Sequence, residues 1–176
     1  MKLFNKKGDE GYTSMLYGQR ILKSDPRPET YGTLDEANST LGFAKALSKS
    51  ERAKEIIHKV QEGLFVVGGE LATDSQDYEK LKKKIEDDDI KELQDLIEEL
   101  EGKVELPRSF IIPGASLVSA ALDMARTIIR RGERRAIRLR EDNILVNDKI
   151  LAYLNRSADL IFILARQEEA TDGRDI

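Results

Sequence analysis

The sequence predicts an all-α protein: a five-helix up-and-down bundle forming one domain. Three observations predict it. Apolar residues recur at three- and four-residue spacing in five separate segments. Polar stretches, several with glycine or proline, separate those segments. The 176 residues show no internal repeat and no compositional break, a length that suits one domain with a substantial core.

Residues 1–29 have no sustained period. Gly8, Gly11, Gly18, Pro26 and Pro28 punctuate them, with Asp9, Thr13 and Ser14 interleaved. Such spacing predicts a loop that folds on something rather than a loose tail. The first helix is expected over about 29–48, on Leu34, Ala37, Leu41 and Ala44. Asp35, Asn38 and Gly42 share its second, polar-to-small face. The second helix is expected over about 51–73, on Ile57, Val60, Leu64, Val67 and Leu71. Gly68 and Gly69 lie inside it at roughly 1 kcal/mol each in helix propensity, which predicts a close helix–helix approach there.

Residues 74–89 read as a connection. A third helix over about 88–100 starts beside Asp87, Asp88 and Asp89, which suit the helix dipole, and Gly102 suits its end. Residues 108–114 are short, apolar and stopped by Pro113, hence extended. The fourth helix, about 116–141, begins with Leu117, Ala120, Ala121 and Met124, apolar enough for the core. In the fifth, about 148–168, Leu151, Leu154, Ala158, Ile161 and Ala165 form one seam. Asn155, Asp159, Phe162 and Arg166 lie along another of its faces. The chain thus divides into a leading loop segment (1–29), the bundle (30–168) and a polar tail (169–176).

Composition narrows the chemistry. No cysteine means no disulfide, thiolate metal site or cysteine nucleophile. His58 is the single histidine, which excludes the paired Glu-x-x-His pattern of di-iron bundles and most histidine-based catalysis. It reads as a surface residue of the second helix. No apolar run is long enough to span a bilayer and no secretory signal is visible, so a cytoplasmic protein is expected. The net charge of −4 disfavours general nucleic-acid binding.

One stretch resists a purely structural reading. Residues 125–140 carry seven arginines and a single acid, Glu133. Helical spacing puts Arg126, Arg130 and Arg134 on one face with Glu133 beside them. Charge runs are usually solvated faces, but few local acids neutralise this one. Arginine was used throughout, although lysine is common elsewhere, and its planar fork suits phosphate and carboxylate. The leading segment has no Walker A pattern. Its glycines could still form a backbone nest for phosphates, with Lys6, Lys7 and Lys23 as counter-charges and Asp9 or Glu10 near a magnesium ion. Asp35 could orient an arginine, and Asn155 could equally be a core-edge hydrogen-bonding group.

Three blocks together resemble a known family. The first is 5–23 with Gly8, Asp9 and Gly11, followed by Arg27-Pro-Glu-Thr-Tyr31-Gly32-Thr-Leu-Asp35-Glu36-Ala-Asn38. The second joins Phe110-Ile-Ile-Pro113-Gly114 to Ala125-Arg126-Thr-Ile-Ile-Arg130-Arg131-Gly132-Glu133-Arg134. The third is Tyr153-Leu-Asn155-Arg156-x-x-Asp159-Leu-x-Phe162. In this order, over nearly the whole chain, they resemble the PduO-type ATP:cob(I)alamin adenosyltransferases.

The resemblance implies a five-helix bundle with an N-terminal glycine-rich nucleotide loop, assembled as homotrimers with active sites between subunits. It implies transfer of the 5′-deoxyadenosyl group of ATP to the cobalt of a reduced corrinoid such as cob(I)alamin, with Mg²⁺ present and triphosphate released. An electron-donating reductase would be a partner. By resemblance Asn5, Lys6, Lys7, Gly8, Thr13, Ser14 and Lys23 hold the phosphates. Arg130, Arg131, Gly132, Glu133, Arg134 and Asn155 line the nucleotide site, with Glu133 on the nucleoside or the metal shell. Arg126 pairs with Asp35 across the subunit interface, and Arg126, Arg130 and Asp35 are the catalytic set. Phe110 covers the lower face of the corrin, excluding the lower axial ligand and easing reduction to cobalt(I). No metal ligand is assigned. Arg135, Arg138 and Arg140 are left as the solvated part of the run. The chain departs from the family at Asn5 and Lys7, where threonine is usual, at Ala115, where glycine is frequent, and at Gly132, where alanine is frequent. A carrier or regulator on the same bundle without turnover is the alternative, and an RNA-binding helical module is a third reading.

Overall fold

The computed structural model describes residues 6–104, 106 and 110–172. Five helices build it: α1 Pro26–Leu47, α2 Glu51–Leu71, α3 Asp87–Glu101, α4 Leu117–Glu141 and α5 Lys149–Asp172. They match the expected five in number and order. α4 lies between α1 and α5, α2 flanks α1, and α3 flanks α5. α1 and α4 run antiparallel, since Glu29 meets Arg135 while Glu36 meets Arg131.

The helix ends follow from capping. Asp25 caps α1, its side chain accepting from the Arg27 N–H, with proline in the first turn. Proline there gives up only an N–H that the helix leaves unbonded, so α1 starts at Pro26, earlier than the expected 29. Ser50 caps α2, and capping boxes start α3 (Glu86 with Asp89) and α4 (Ser116 with Ser119).

The expected seams share one core: Leu34, Ala37, Leu41 and Ala44 of α1, Ile57, Val60, Leu64 and Val67 of α2, and Leu154, Ala158, Ile161 and Ala165 of α5, with Leu151 only half-buried against it. On α4 the buried face is Val118, Ala121, Leu122, Ala125, Ile129, Ala136 and Leu139. Leu117 and Met124, expected in the core, are 77% and 51% exposed. They lie on the same side of α4 as Arg131, beside α1, because 117, 124 and 131 are two turns apart.

The close helix contacts also fall elsewhere than expected. Gly68 and Gly69 have open space where a Cβ would stand. They line a groove of about 420 Å³ between α1 and α2, shared with Tyr31, Asp35 and Phe65. The tight approaches are at Gly63, which lies against the Tyr153 hydroxyl, and at Gly132, which lies against Leu34.

The leading segment is more ordered than a loop. β1 (Tyr12–Ser14) and β2 (Arg20–Leu22) pair antiparallel, with Ser14 opposite Arg20. Gly11 and Gly18 take positive φ around this hairpin, at 82° and 97°. Met15 is buried, the Leu16 N–H donates to Ala72 O at 2.8 Å, and Gln19 bonds Asp77 in the 3-10 turn Ser75–Lys80. The hairpin is therefore docked on the C-terminal end of α2. Residues 110–114 are irregular, as an extended segment requires, and His58 is exposed as expected. α5 continues to Asp172, into the expected polar tail.

Candidate functional site

The N-terminal candidates converge around one backbone turn. Lys6–Gly8 form a 3-10 turn closed by the Asp9 N–H donating to Lys6 O at 3.2 Å. The Lys23 N–H donates to Gly11 O at 2.8 Å, which folds β2 back onto the turn. The Lys23 ammonium then lies 3.3 Å from where a Gly8 Cβ would be, so a side chain at position 8 would crowd it. Thr13 and Ser14 stand on β1 beside the turn, and the Tyr31 hydroxyl meets the Thr13 side chain. Burial first, and then the Asp25 charge, push the Tyr31 phenol above its ordinary value. Lys6, Lys7, Gly8, Thr13, Ser14 and Lys23 are thus brought together, while Asn5 lies outside the described residues.

Arg20 belongs to this cluster and was not singled out from sequence. Its guanidinium donates to Lys7 O at 2.6 Å and to Ser14 Oγ at 3.3 Å. The signal that points to it is the cross-strand pair Ser14–Arg20, which becomes visible only once the hairpin is known. The frame beneath is an ion-paired corner. Arg27 bonds Asp25 at 3.1 Å and approaches Asp74 at 3.6 Å, tying the start of α1 to the end of α2. Burial raises the Asp25 carboxyl, but the hydrogen bonds and charge of Arg27 outweigh it and hold the group below its ordinary value.

The arginine run of α4 splits into two sets. Arg131 bonds Glu36. Arg135 bonds Thr33 Oγ1, donates to Glu29 O at 2.8 Å and meets the Glu29 carboxylate at 2.7 Å. These two belong to the α1–α4 seam. For Arg135 this corrects the expectation of a solvated residue, and for Arg131 it supplies a partner other than nucleotide. Arg138 and Arg140 are exposed, as expected. Gly132 is buried against Leu34, so its place in the site is that of a spacer between helices.

Arg126, in the other set, faces α5. The Arg126 guanidinium lies 5.1 Å from the centre of the Phe162 ring on α5. Arg130 and Glu133 are half-buried, Asn155 is half-buried on α5, and Arg134 is exposed on the α1 side, where it lines a groove with Pro26, Glu29 and Thr30. Among the described residues no carboxylate pairs with Arg126 and no cation pairs with Asp35. Asp35 opens into the α1–α2 groove, whereas Arg126 lies on the α5 side of α4. Within one chain the two stand on different faces of the bundle. Phe110 is fully exposed.

Beneath the site, Glu70 is buried and was missed from sequence. It accepts from the Ile85 N–H at 2.7 Å, from Asn147 Nδ2 at 2.9 Å and from the Tyr78 hydroxyl. Burial first, and then Glu70, raise the Tyr78 phenol, which stays protonated as a donor. Among the described residues no group of three or more histidines and carboxylates converges as a metal cage, and no helix is long and apolar enough to cross a membrane.

Residues 3–168 match the family model described as cobalamin adenosyltransferase. A corrinoid adenosyltransferase of Citrobacter freundii is 38% identical over 97% of this chain and 96% of its own length. The corrinoid adenosyltransferase PduO of Salmonella typhimurium is 35% identical over 97% of this chain, which spans 50% of that longer protein. Among solved structures, a variant PduO-type ATP:corrinoid adenosyltransferase from Lactobacillus reuteri, complexed with cobalamin and ATP, superposes with a TM-score of 0.90. It is 32% identical, over 98% of this chain and 93% of that one. With a helical bundle, a cationic N-terminal loop and a matching sequence over nearly its full length, the chain belongs to the cobalamin adenosyltransferase family.

Proposed function

We propose that this protein transfers the 5′-deoxyadenosyl group of ATP to the cobalt of a reduced corrinoid. Cobalt(I) supplies the electron pair and attacks the 5′ carbon of ATP. The 5′ C–O bond breaks, and its electrons leave with triphosphate as the cobalt–carbon bond forms. The metal centre of the substrate is itself the nucleophile, so the protein needs neither a serine–histidine pair nor a cysteine. Its work is to align two substrates and to stabilise negative charge on the departing triphosphate.

The observation that carries this reading is the N-terminal cluster. Lys6, Lys7, Lys23 and Arg20 surround one turn that also offers backbone N–H groups and the Thr13 and Ser14 hydroxyls. That donor set suits a polyphosphate. Arg130, Arg134, Glu133 and Asn155 complete the nucleotide site in this reading. Mg²⁺, in this reading, is carried on the phosphates and water.

Asp35 and Arg126, on different faces of one chain, can pair only between copies. In this reading they do so in a homotrimer, with the sites at its interfaces. Phe110, fully exposed, is then free to cover the lower corrin face. A cytoplasmic location, where a reductase can deliver the electron, completes the proposal.

Anaerobic incubation with ATP, Mg²⁺ and chemically reduced cobalamin tests it. Light-sensitive adenosylcobalamin is expected. Tight binding of both substrates without that product would leave a carrier and overturn the enzyme.

A further inference from the structure

Arg126 stands on an unusual support. The Phe162 ring has two guanidiniums near it, Arg126 from α4 and Arg166 from α5, each 5.1 Å from its centre. Two cations on one ring repel unless one is neutralised, and here Arg166 is the neutralised one. It is 4% exposed, meets Asp123 at 2.5 Å and Glu169 at 3.0 Å, and Asp123 is itself 8% exposed. A buried arginine persists only with such partners.

The position of Asp123 gives this pair a consequence. It precedes Arg126 by three residues on α4, the spacing at which an acid and an arginine ordinarily meet. Instead its carboxylate is taken by Arg166. Arg126 is left on the aromatic face, which holds a planar guanidinium without consuming its hydrogen-bond donors.

We infer that Phe162, Arg166 and Asp123 form a positioning unit for Arg126: the ring fixes the guanidinium plane, and the buried pair keeps the local carboxylate from capturing it. Arg126 is thereby held ready for the acid or anion that the site brings to it. The inference rests on the adenosyltransferase reading for its kinetic consequence, and on geometry alone for the ring contact.

A double-mutant cycle in the full chain tests it, with Phe162→Leu, Arg126→Ala and the two combined. Circular dichroism and Tm establish folding. Phe162→Leu should lower kcat/KM for the corrinoid about tenfold while leaving the KM for ATP within about twofold. In the Arg126→Ala background it should cost nothing further, because its effect passes through Arg126. Equal losses with and without Arg126, or no loss in the parent, would overturn the inference.

A second pair of variants keeps the buried charge in view. Arg166→Met should impair turnover by releasing Asp123 onto Arg126, and adding Asp123→Asn should restore it. Failure of that rescue in a folded double variant would also overturn the inference. A readout independent of turnover is the Arg126 Nε–H resonance in arginine-labelled protein, identified by its loss in Arg126→Ala. Ring current should displace it, and Phe162→Leu should return it to the ordinary arginine position. An inactive parent protein with this shift intact would sink the proposed function and leave the positioning unit standing. An undisplaced resonance would sink the unit alone.

Discussion

Replacing Gly132 by alanine should reveal how tightly α1 is seated on α4. In a free helix the change gains about 1 kcal/mol, the propensity difference between glycine and alanine. Here the added Cβ would stand 2.5 Å from Leu34 Cδ2 and 3.3 Å from Leu34 Cγ. Leu34 is fully buried, so it cannot swing into solvent. Overpacking of that kind costs about 1–3 kcal/mol, giving a net destabilisation of roughly 0–2 kcal/mol. Leu34→Val alone removes a buried carbon and should cost about 1 kcal/mol. Combined, the alanine methyl occupies space that valine vacates, and the double variant should return to within about 1 kcal/mol of the parent. Thermal unfolding of the four proteins measures this, at about 2–4 °C per kcal/mol for a chain of this size. A Gly132→Ala variant that gains the full helix propensity would refute the reasoning, as would strict additivity of the two changes.

Three further outcomes follow from named contacts. Arg20→Ala should raise the KM for ATP about tenfold with the corrinoid KM unchanged, since one or two charge-assisted hydrogen bonds organise the loop; steady-state kinetics with each substrate varied would expose an error. Glu70→Ala strands the Ile85 N–H, the Asn147 amide and the Tyr78 hydroxyl in the core, and should cost about 3 kcal/mol by denaturant unfolding, with Glu70→Gln milder. The Arg52 hydrogen bond, and then Lys103, hold the Glu99 carboxyl at about 2 instead of 4.5. The fold therefore favours its ionised form, and the stabilisation is complete above about pH 4.5 and fades as pH falls toward about 2. The pair is partly exposed, so Glu99→Gln should cost at most about 1 kcal/mol at neutral pH and nothing near pH 2; a penalty that persists in acid would contradict this assignment.

Much of the bundle is legible in the sequence because a buried helix face must repeat every three to four residues, and α2 does so without a break from Ile57 to Leu71. The start of α1 was obscured by Pro26 and Pro28, which read as breakers although a first helical turn accepts proline. The hairpin has strands of three residues each, too short for alternation to show. Its stability comes from docking on Ala72 and Asp77, contacts distant in sequence.

The site divides along the same line. The lysines, glycines and hydroxyls of the loop are local and could be gathered from spacing. The fates of the arginines were not local. Arg131 and Arg135 differ from Arg126 and Arg130 through what α1 presents to them, namely Glu36, Thr33 and Glu29. Gly68 and Gly69 likewise signalled a close approach without telling which side of α2 a neighbour would occupy, and the described chain leaves that side open.

The central claim is that ATP loses its adenosyl group to cobalt rather than a phosphate to water. It is tested most directly by placing a carbon label at the 5′ position of ATP and following both products under anaerobic, reducing conditions. The label is expected on cobalt, with triphosphate released in equal amount. A label retained in ADP, with orthophosphate as the inorganic product and no cobalt–carbon bond, would contradict it.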